Sequence, residues 1–339
     1  MIRFAVVGTN WITEELIHAG RESKDFRLTG VYSRTAERAR QFADKFDIQH
    51  IYTDLDTMAQ SGEFDAVYIA SPNSFHAEQA IALMKGGKHV LCEKPIASNT
   101  RELRAMIEAA KENKVLLMEA LKSTLLPNFK AIRDNLHKIG PVRRYFGSYC
   151  QYSSRYDAYK QGTVLNAFNP VFSNGSMMDL GVYCVHPAVQ LFGKPDAVKA
   201  GGMLLESGVD GEGSVLLKYG EMDAVIMHSK ITHSYQSSEI QGENGTMVID
   251  KISQPEQVEI RYRDGSVEDL TQPQIARNMY YEVQEFIDLI RDGKTESAVN
   301  SHEVSLTAME IMDEARRQIG LVFPADKQNI RVTEQSSQV

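Results

Sequence analysis

Two stretches carry residue types able to do chemistry: Glu93-Lys94-Pro95, and the series Asp179, Tyr183, His186. The first follows Val90-Leu91-Cys92, so a short apolar run stops abruptly in a carboxylate, an amine and a proline. If that run is a strand of an open parallel sheet, Lys94 emerges at its carboxyl end, where such sheets bind ligands. Pro95 restricts Lys94 to extended backbone and can carry a cis bond in a tight turn. In the second stretch a carboxylate, a phenol and an imidazole fall at i, i+4 and i+7, one line along a helix. Such a line can orient a substrate hydroxyl and take its proton. Each stretch also has a plain structural reading: a solvated ion pair at a strand end, and the polar side of a helix whose apolar face is Met178, Val182, Val185 and Val189.

The elements that must position Lys94 alternate regularly through the first 120 residues. Apolar, β-branched runs at 2–7, 28–32, 64–70, 89–92 and 115–118 read as strands. Between them, 11–19, a stretch opened by Thr35, 76–85 and 99–113 read as helices. The second of these puts Ala36, Ala39, Phe42, Ala43 and Phe46 on one face. Alternating strand and helix at this spacing predicts a doubly wound α/β Rossmann domain on a parallel sheet, over residues 1–121.

In that architecture the first strand-to-helix turn holds a dinucleotide pyrophosphate on backbone N–H groups. Here the turn reads Gly8-Thr9-Asn10-Trp11-Ile12-Thr13, with only the first glycine of the usual G-x-G-x-x-G. The second strand runs into Ser33-Arg34-Thr35, with Arg38 one turn on, and no acid stands at the position that would grip a ribose diol. Two hydroxyls and an arginine suit a 2′-phosphate, so NADP is expected, with NAD possible. The strand ending at Ala70 leads into Ser71-Pro72-Asn73 and His76, where Ser or Asn can cap the next helix. His76 reads equally as a residue of that cap region with no chemistry.

The pattern changes after residue 121. A helix at 127–136 and a Tyr- and Phe-rich run at 142–153 precede the helix beginning at Asn174-Gly175. Closely spaced strand-like segments then follow between 198 and 262, joined by Asp-Gly, Gly-Glu and Asn-Gly turns. Residues 122–339 are therefore expected to form an α+β substrate-binding and oligomerisation domain around a large, mainly antiparallel open sheet. Helices at 277–292 and 301–319 close it, and the terminal one can pack back on the first domain. An open sheet of that size needs a cover for its second face, which predicts a homodimer or higher oligomer.

Composition narrows the function. A net charge of -8 argues against nucleic-acid binding. No apolar run approaches the ~18 residues of a membrane span. The N-terminus reads as a strand rather than a signal peptide. Cys92, Cys150 and Cys184 have neither paired nor metal-ligand spacing, so a reduced, cytoplasmic protein without a metal is expected. The polar tail at 333–339 is expected to fray.

These parts resemble the Gfo/Idh/MocA family of nicotinamide-dependent oxidoreductases over nearly the whole chain. The resemblance rests on the strand–Gly8 turn, Ala70-Ser71-Pro72-Asn73 with His76, Glu93-Lys94-Pro95, and Gly175-Ser176-Met177-Met178-Asp179-Leu180-Gly181-Val182-Tyr183. Within the family the chain looks most like the dihydrodiol and xylose dehydrogenase branch, with Leu117-Met118-Glu119-Ala120, and with Tyr183 where other branches often carry His. It departs from that branch at Lys122 and Thr124, and has Asn174-Gly175-Ser176 in place of a glycine run. The resemblance implies that Lys94 lies near the nicotinamide, that Tyr183 is the acid/base and that Asp179 sits beside them. A cation within ~4–6 Å is then expected to lower the phenol's pKa from ~10 and make it a base. Arg155 and Asn169 are candidate substrate contacts, and His186 a candidate for the pocket rim. The implied substrate is a secondary hydroxyl or carbonyl of a sugar, polyol or diol. The alternatives are a dinucleotide-binding sensor without turnover, as in a fungal repressor of this family, and a glycosidase that recycles its bound cofactor.

Overall fold

The computed structural model describes residues 1–327, so the polar tail at 333–339 lies outside the described residues. The first sheet comprises β1 (Ile2–Val7), β2 (Phe26–Tyr32), β3 (His50–Tyr52), β4 (Ala66–Ile69), β5 (His89–Glu93) and β6 (Leu117–Ala120). All six are parallel, in the order β3-β2-β1-β4-β5-β6. The crossovers carry α1 (Trp11–Gly20), α2 (Ala36–Phe46), α3 (Leu55–Ala59), α4 (His76–Lys85) and α5 (Thr100–Asn113). Helices on both faces explain why the middle strands are apolar throughout: β4 is buried along its whole length. Strand order reverses between β1 and β4, which opens a crevice at the carboxyl ends of the strands. The helix starts follow local chemistry. Asn10, Thr35 and Asn99 each accept backbone N–H bonds as side-chain caps of α1, α2 and α5.

The second half begins with α6 (Pro127–Asn135), β7 (Val142–Cys150) and α7 (Tyr156–Lys160). A wide π-type turn at Met177–Gly181 then leads into α8 (Val182–Phe192). β8 (Ala197–Leu204), β9 (Asp210–Tyr219), β10 (Met222–Ser229), β11 (Ser238–Gly242), β12 (Gly245–Ile249), β13 (Val258–Tyr262) and β14 (Val267–Asp269) complete an eight-stranded sheet with β7. Its order is β14-β13-β12-β11-β7-β10-β9-β8, antiparallel except where β7 and β10 run parallel. One face is a core of Val215, Leu217, Ala224, Ile226, Ile240 and Ile260 that joins Val185 and Val189 of α8. The opposite face leaves Leu216 43% and Met227 37% exposed.

The described residues close with α9 (Tyr280–Arg291), α10 (His302–Ile319) and α11 (Pro324–Lys327). α9 returns to the first sheet, where Met279, Val283 and Phe286 share a core with Phe4, Tyr68 and Met118. This return matters for function, because it brings the first turn of α9 to the edge of the crevice.

Candidate active site

The crevice is a cleft of about 1210 Å³, larger than the ~300–1,000 Å³ of most small-ligand pockets and roomy enough for a dinucleotide with a second small molecule. Its floor is the row of strand ends. Gly8, at φ 104°, leaves β1 there, and a Cβ at that position would stand 2.8 Å from the Ala70 carbonyl oxygen. Only glycine fits both the left-handed backbone and the close approach. Asn10 takes over the missing second glycine's task differently: its Nδ2 donates to the Ala70 carbonyl at 2.7 Å while its Oδ1 accepts from Ile12 and Thr13. The turn is thereby held against the strand beside it.

Thr9, Trp11, Ile12, Ser33, Arg34 and Arg38 line the same end of the cleft. Arg38 donates to both Oγ1 and the carbonyl of Thr9, at 3.1 and 2.7 Å, and so is already engaged. Arg34 is exposed at the end of β2 and extends the lining there. Ser71, Pro72, Asn73 and His76 also line the cleft, but neither Ser nor Asn caps the helix as expected. Ser71 donates to Gln79 at 2.6 Å, and Asn73 reaches the Ser173 carbonyl at 2.8 Å, so both hydroxyl and amide are used between elements. His76 is fully buried, its ring nitrogens 3.0 and 2.9 Å from the Pro95 and Ser71 carbonyls. It ties the loop after β4 to the loop after β5. Burial pushes its pKa down to about 4.

Lys94 lies where its strand delivers it, just before a cis Lys94–Pro95 bond. Its Nζ donates to Asp179 Oδ1 at 2.8 Å and to the Asp179 carbonyl at 3.0 Å, and stands 4.8 Å from the centre of the Tyr183 ring. Lys94, Asp179 and Tyr183 thus meet on one wall. A second ammonium, absent from the expectations, completes the group: Lys230, just past β10, donates to Asp179 Oδ2 at 2.8 Å and to the Ala167 carbonyl at 3.1 Å. Its signal resembles that of Lys94, an apolar strand ending in a polar run, His228-Ser229-Lys230.

The electrostatics correct one expectation. Burial alone would lower the Lys94 pKa, but Asp179, Tyr183 and Glu93 together hold it above the ordinary lysine value. Asp179 is desolvated yet held below the usual carboxylate range by its two lysines. Lys94 does pull the Tyr183 pKa down, but burial outweighs it and the phenol ends above its ordinary value. Tyr183 therefore rests as a phenol in this site.

Two further expectations fail. His186 is not on the pocket rim. It is wholly buried, three residues beyond Tyr183 and turned into the core, with Nε2 3.6 Å from Glu119 Oε2. Burial lowers its pKa to about 3 and raises that of Glu119 to about 7. Asn169 does not line the cleft either; its Oδ1 accepts from the Val171 N–H at 3.0 Å and starts the short turn at Pro170–Phe172. Arg155 does line it, with Tyr149, Gln151, Asn166, Lys122 and Gln254 that sequence reasoning passed over. Tyr149 packs edge-on against Tyr183 at 5.7 Å, and Lys122 and Gln254 touch at 3.4 Å. Tyr149 and Gln151 lie two residues apart at the end of β7, but Arg155, Asn166, Lys122 and Gln254 come from separate segments that no spacing along the chain marks as neighbours.

Two family models match the chain. Residues 2–121 match the oxidoreductase family with NAD-binding Rossmann fold, and residues 133–248 match the GFO/IDH/MocA C-terminal domain. The scyllo-inositol 2-dehydrogenase (NADP(+)) IolU of Bacillus subtilis is 60% identical over 327 residues, covering 96% of this chain and 100% of that protein. A trans-1,2-dihydrobenzene-1,2-diol dehydrogenase of Mus musculus is 29% identical over 344 residues, covering 96% and 99%. The crystal structure of an aldose-aldose oxidoreductase from Caulobacter crescentus superimposes with a TM-score of 0.83 at 21% identity, over 94% of this chain and 97% of that one, a likeness of fold.

Proposed function

The chain belongs to the GFO/IDH/MocA oxidoreductase family, and from that premise we propose that its cleft holds NADP and a cyclic polyol. Hydride passes between the nicotinamide and one secondary CH–OH of that polyol. The observation that carries the reading is the wall of Lys94, Asp179 and Tyr183 at the end of β5, inside a cleft whose other end opens at Arg34. Identity of 60% to an NADP+-dependent inositol dehydrogenase supports both cofactor and substrate class. The cradle fits a dinucleotide: Gly8 leaves room where a Cβ would strike the Ala70 carbonyl, and α1 presents its N-terminus there.

When bound, the cofactor supplies the hydride acceptor or donor. The protein's own residues handle position and proton. Asp179, fixed by Lys230, aims the Lys94 ammonium at the substrate oxygen, where it can donate a hydrogen bond. Tyr183, resting as a phenol, gives its proton to a carbonyl oxygen in reduction and must lose it first in oxidation. Arg155, Gln151 and Asn166 offer donors and acceptors to the remaining hydroxyls, which suits a many-hydroxyl ring better than an apolar diol.

Residues 1–121 are assigned to dinucleotide binding and 122–339 to substrate and assembly, with α9 and α10 reaching back. Among the described residues no helix is long and apolar enough to cross a membrane, and we place the protein in the cytoplasm, where NADP is available. The exposed sheet face around Leu216 and Met227 is assigned to a homodimer; sedimentation as a single 38.0 kDa species would overturn that.

The test of function follows nicotinamide absorbance while inositols, aldoses and a dihydrodiol are offered with NADP+ and NAD+ in parallel. Oxidation of an inositol with NADP+ at the highest kcat/KM is expected. Binding of NADP+ without turnover of any of them would favour a sensor and overturn the proposal.

A further inference from the structure

Glu282 lies in the first turn of α9, on the wall of the cleft, and its side chain is wholly buried. Among the described residues it is the only cleft-lining one whose buried polar atoms lack a hydrogen-bond partner, and both of its carboxyl oxygens do. An orphaned buried carboxyl costs free energy, so its place on a ligand-binding wall asks for a ligand that completes it.

The surroundings fix its chemistry. Burial raises the Glu93 pKa, but the Lys94 charge and the hydrogen bonds that Glu93 accepts from Tyr68 at 2.5 Å and from the Lys94 N–H at 3.2 Å oppose that rise. Glu282 has no such donors. Burial and the nearby Glu93 charge push its pKa well up, with only Lys122 opposing. Of these two acids, Glu282 is the one driven further toward the neutral form. A neutral carboxyl presents one O–H donor beside one carbonyl acceptor. The complementary partner is a primary amide, which offers a carbonyl acceptor beside an N–H donor and closes a paired, two-bond contact.

A nicotinamide dinucleotide carries one such amide, and position along the sheet selects it over the similar edge of adenine. Arg34 leaves the end of β2, while Lys94 leaves β5, three strand spacings or ~14 Å further along the row. Met279 and Glu282 share the cleft wall with Ala120 and Lys122 at the end of β6, beyond Lys94. We infer that Glu282 is a nicotinamide-positioning residue whose carboxyl pairs with the carboxamide of the bound cofactor. The inference rests on the dinucleotide reading above, and deepens it. It also gives a role to the return of α9, which carries Glu282 from the far end of the chain to the first sheet.

The test is a binding titration of the full-length protein with NADP+ and with 2′-phospho-ADP-ribose, the same molecule without nicotinamide. For Glu282→Leu, affinity for NADP+ is expected to fall about tenfold, from loss of two ordinary hydrogen bonds, while affinity for 2′-phospho-ADP-ribose is unchanged. Glu282→Gln, itself a donor beside an acceptor, keeps NADP+ affinity within about threefold of the parent. The unaltered protein supplies an independent arm. It is expected to bind the nicotinic-acid analogue of NADP+, with a carboxylate in place of the amide, at least tenfold more weakly than NADP+. Equal loss of both ligands in Glu282→Leu, no loss of either, or equal affinity of the parent for amide and acid cofactors each overturns the inference. Failure of the parent to bind 2′-phospho-ADP-ribose overturns the dinucleotide reading itself, a result distinct from the others.

Discussion

Asp179 and Glu282 are carboxyl groups on the wall of one cleft, and their surroundings drive them in opposite directions. Asp179 accepts from two ammonium groups at 2.8 Å each and is held ionised, although its side chain is still 37% exposed to the cleft. Glu282 is fully buried, meets no donor among the described residues, and is pushed toward the neutral acid by burial and by Glu93. The difference is one of partners and burial rather than residue type: two cations keep the partly exposed carboxyl charged, and full burial without a cation in contact drives the other toward the neutral acid. One acid then aims a lysine, and the other is free to act as a hydrogen-bond donor.

The largest expected effect comes from breaking the charged side of that contrast. Asp179→Asn leaves Lys94 and Lys230 facing each other with no anion between them, and the Lys94 pKa should fall as burial takes over. Tyr183→Phe removes the group assigned to proton transfer, for which losses of ~10²–10⁴-fold are usual. Both variants should lose turnover on that scale, with NADP+ affinity of Tyr183→Phe little changed. The sign of the pH dependence tests the same point. Because Tyr183 rests as a phenol above its ordinary pKa, polyol oxidation should speed up steadily from pH 7 to pH 10. Reduction of the corresponding ketone should not. A flat oxidation profile in the parent, or the same slope in Tyr183→Phe, would remove Tyr183 from proton transfer.

A smaller effect separates the two lysines. Lys230 is almost fully buried and touches Asp179, Ala167 and the face of Phe168 at 5.3 Å, but does not line the cleft. It acts by positioning Asp179. In Lys230→Met the apolar stem is kept and Asp179 still has Lys94, so the loss is one charge-assisted bond, ~1.5–3 kcal/mol at most. Turnover should fall roughly tenfold, with the oxidation pH profile unchanged in shape, because Tyr183 keeps its neighbouring cation. A collapse as deep as that of Asp179→Asn would make Lys230 a direct participant.

The two acids also differ in how legible they were. Asp179 was readable because Asp-x-x-x-Tyr falls at helical spacing and Lys94 follows a clear strand, while the meeting of the three side chains was implied by the family resemblance and not by spacing. The whole first sheet was legible on the same ground, strand alternating with helix, apart from the three-residue edge strand β3 and the short α3, too brief to show a period. Glu282 was not readable. It sits beside the apolar stripe Met279, Val283 and Phe286 of α9 and is one more acid on an amphipathic helix until that helix is seen to dock on the first sheet. His186 misled for the converse reason: i+7 spacing from Asp179 predicts one face, but the wide turn at Met177–Gly181 and the docking of α8 carry it inward.

His186 offers the smallest expected effect, and it sharpens the contrast from outside the cleft. There a third carboxyl, Glu119, accepts from Ile96 N–H at 3.1 Å and from Ser305 at 2.6 Å, with burial raising its pKa to about 7. His186 beside it has no hydrogen-bond partner for either ring nitrogen among the described residues, and burial lowers its pKa to about 3. The unfolded chain, with an imidazole pKa of ~6.5, therefore binds more protons than the folded one between pH 6.5 and 3. Stability from this group is present above pH 6.5 and drains away as pH falls below it. His186→Phe removes that liability together with two unpartnered nitrogens. The variant should match the parent within about 1 kcal/mol at pH 7.5, and gain about 1 kcal/mol on it at pH 5.5 by denaturant unfolding. Glu119 and Asp210 titrate with the opposite sign, so the comparison is drawn between variant and parent and not from either curve alone. Turnover should stay within about threefold of the parent, because no atom of His186 reaches the cleft wall. A hundredfold loss of activity with no acid-side gain in stability would return His186 to the chemistry and leave Glu119 as its partner there.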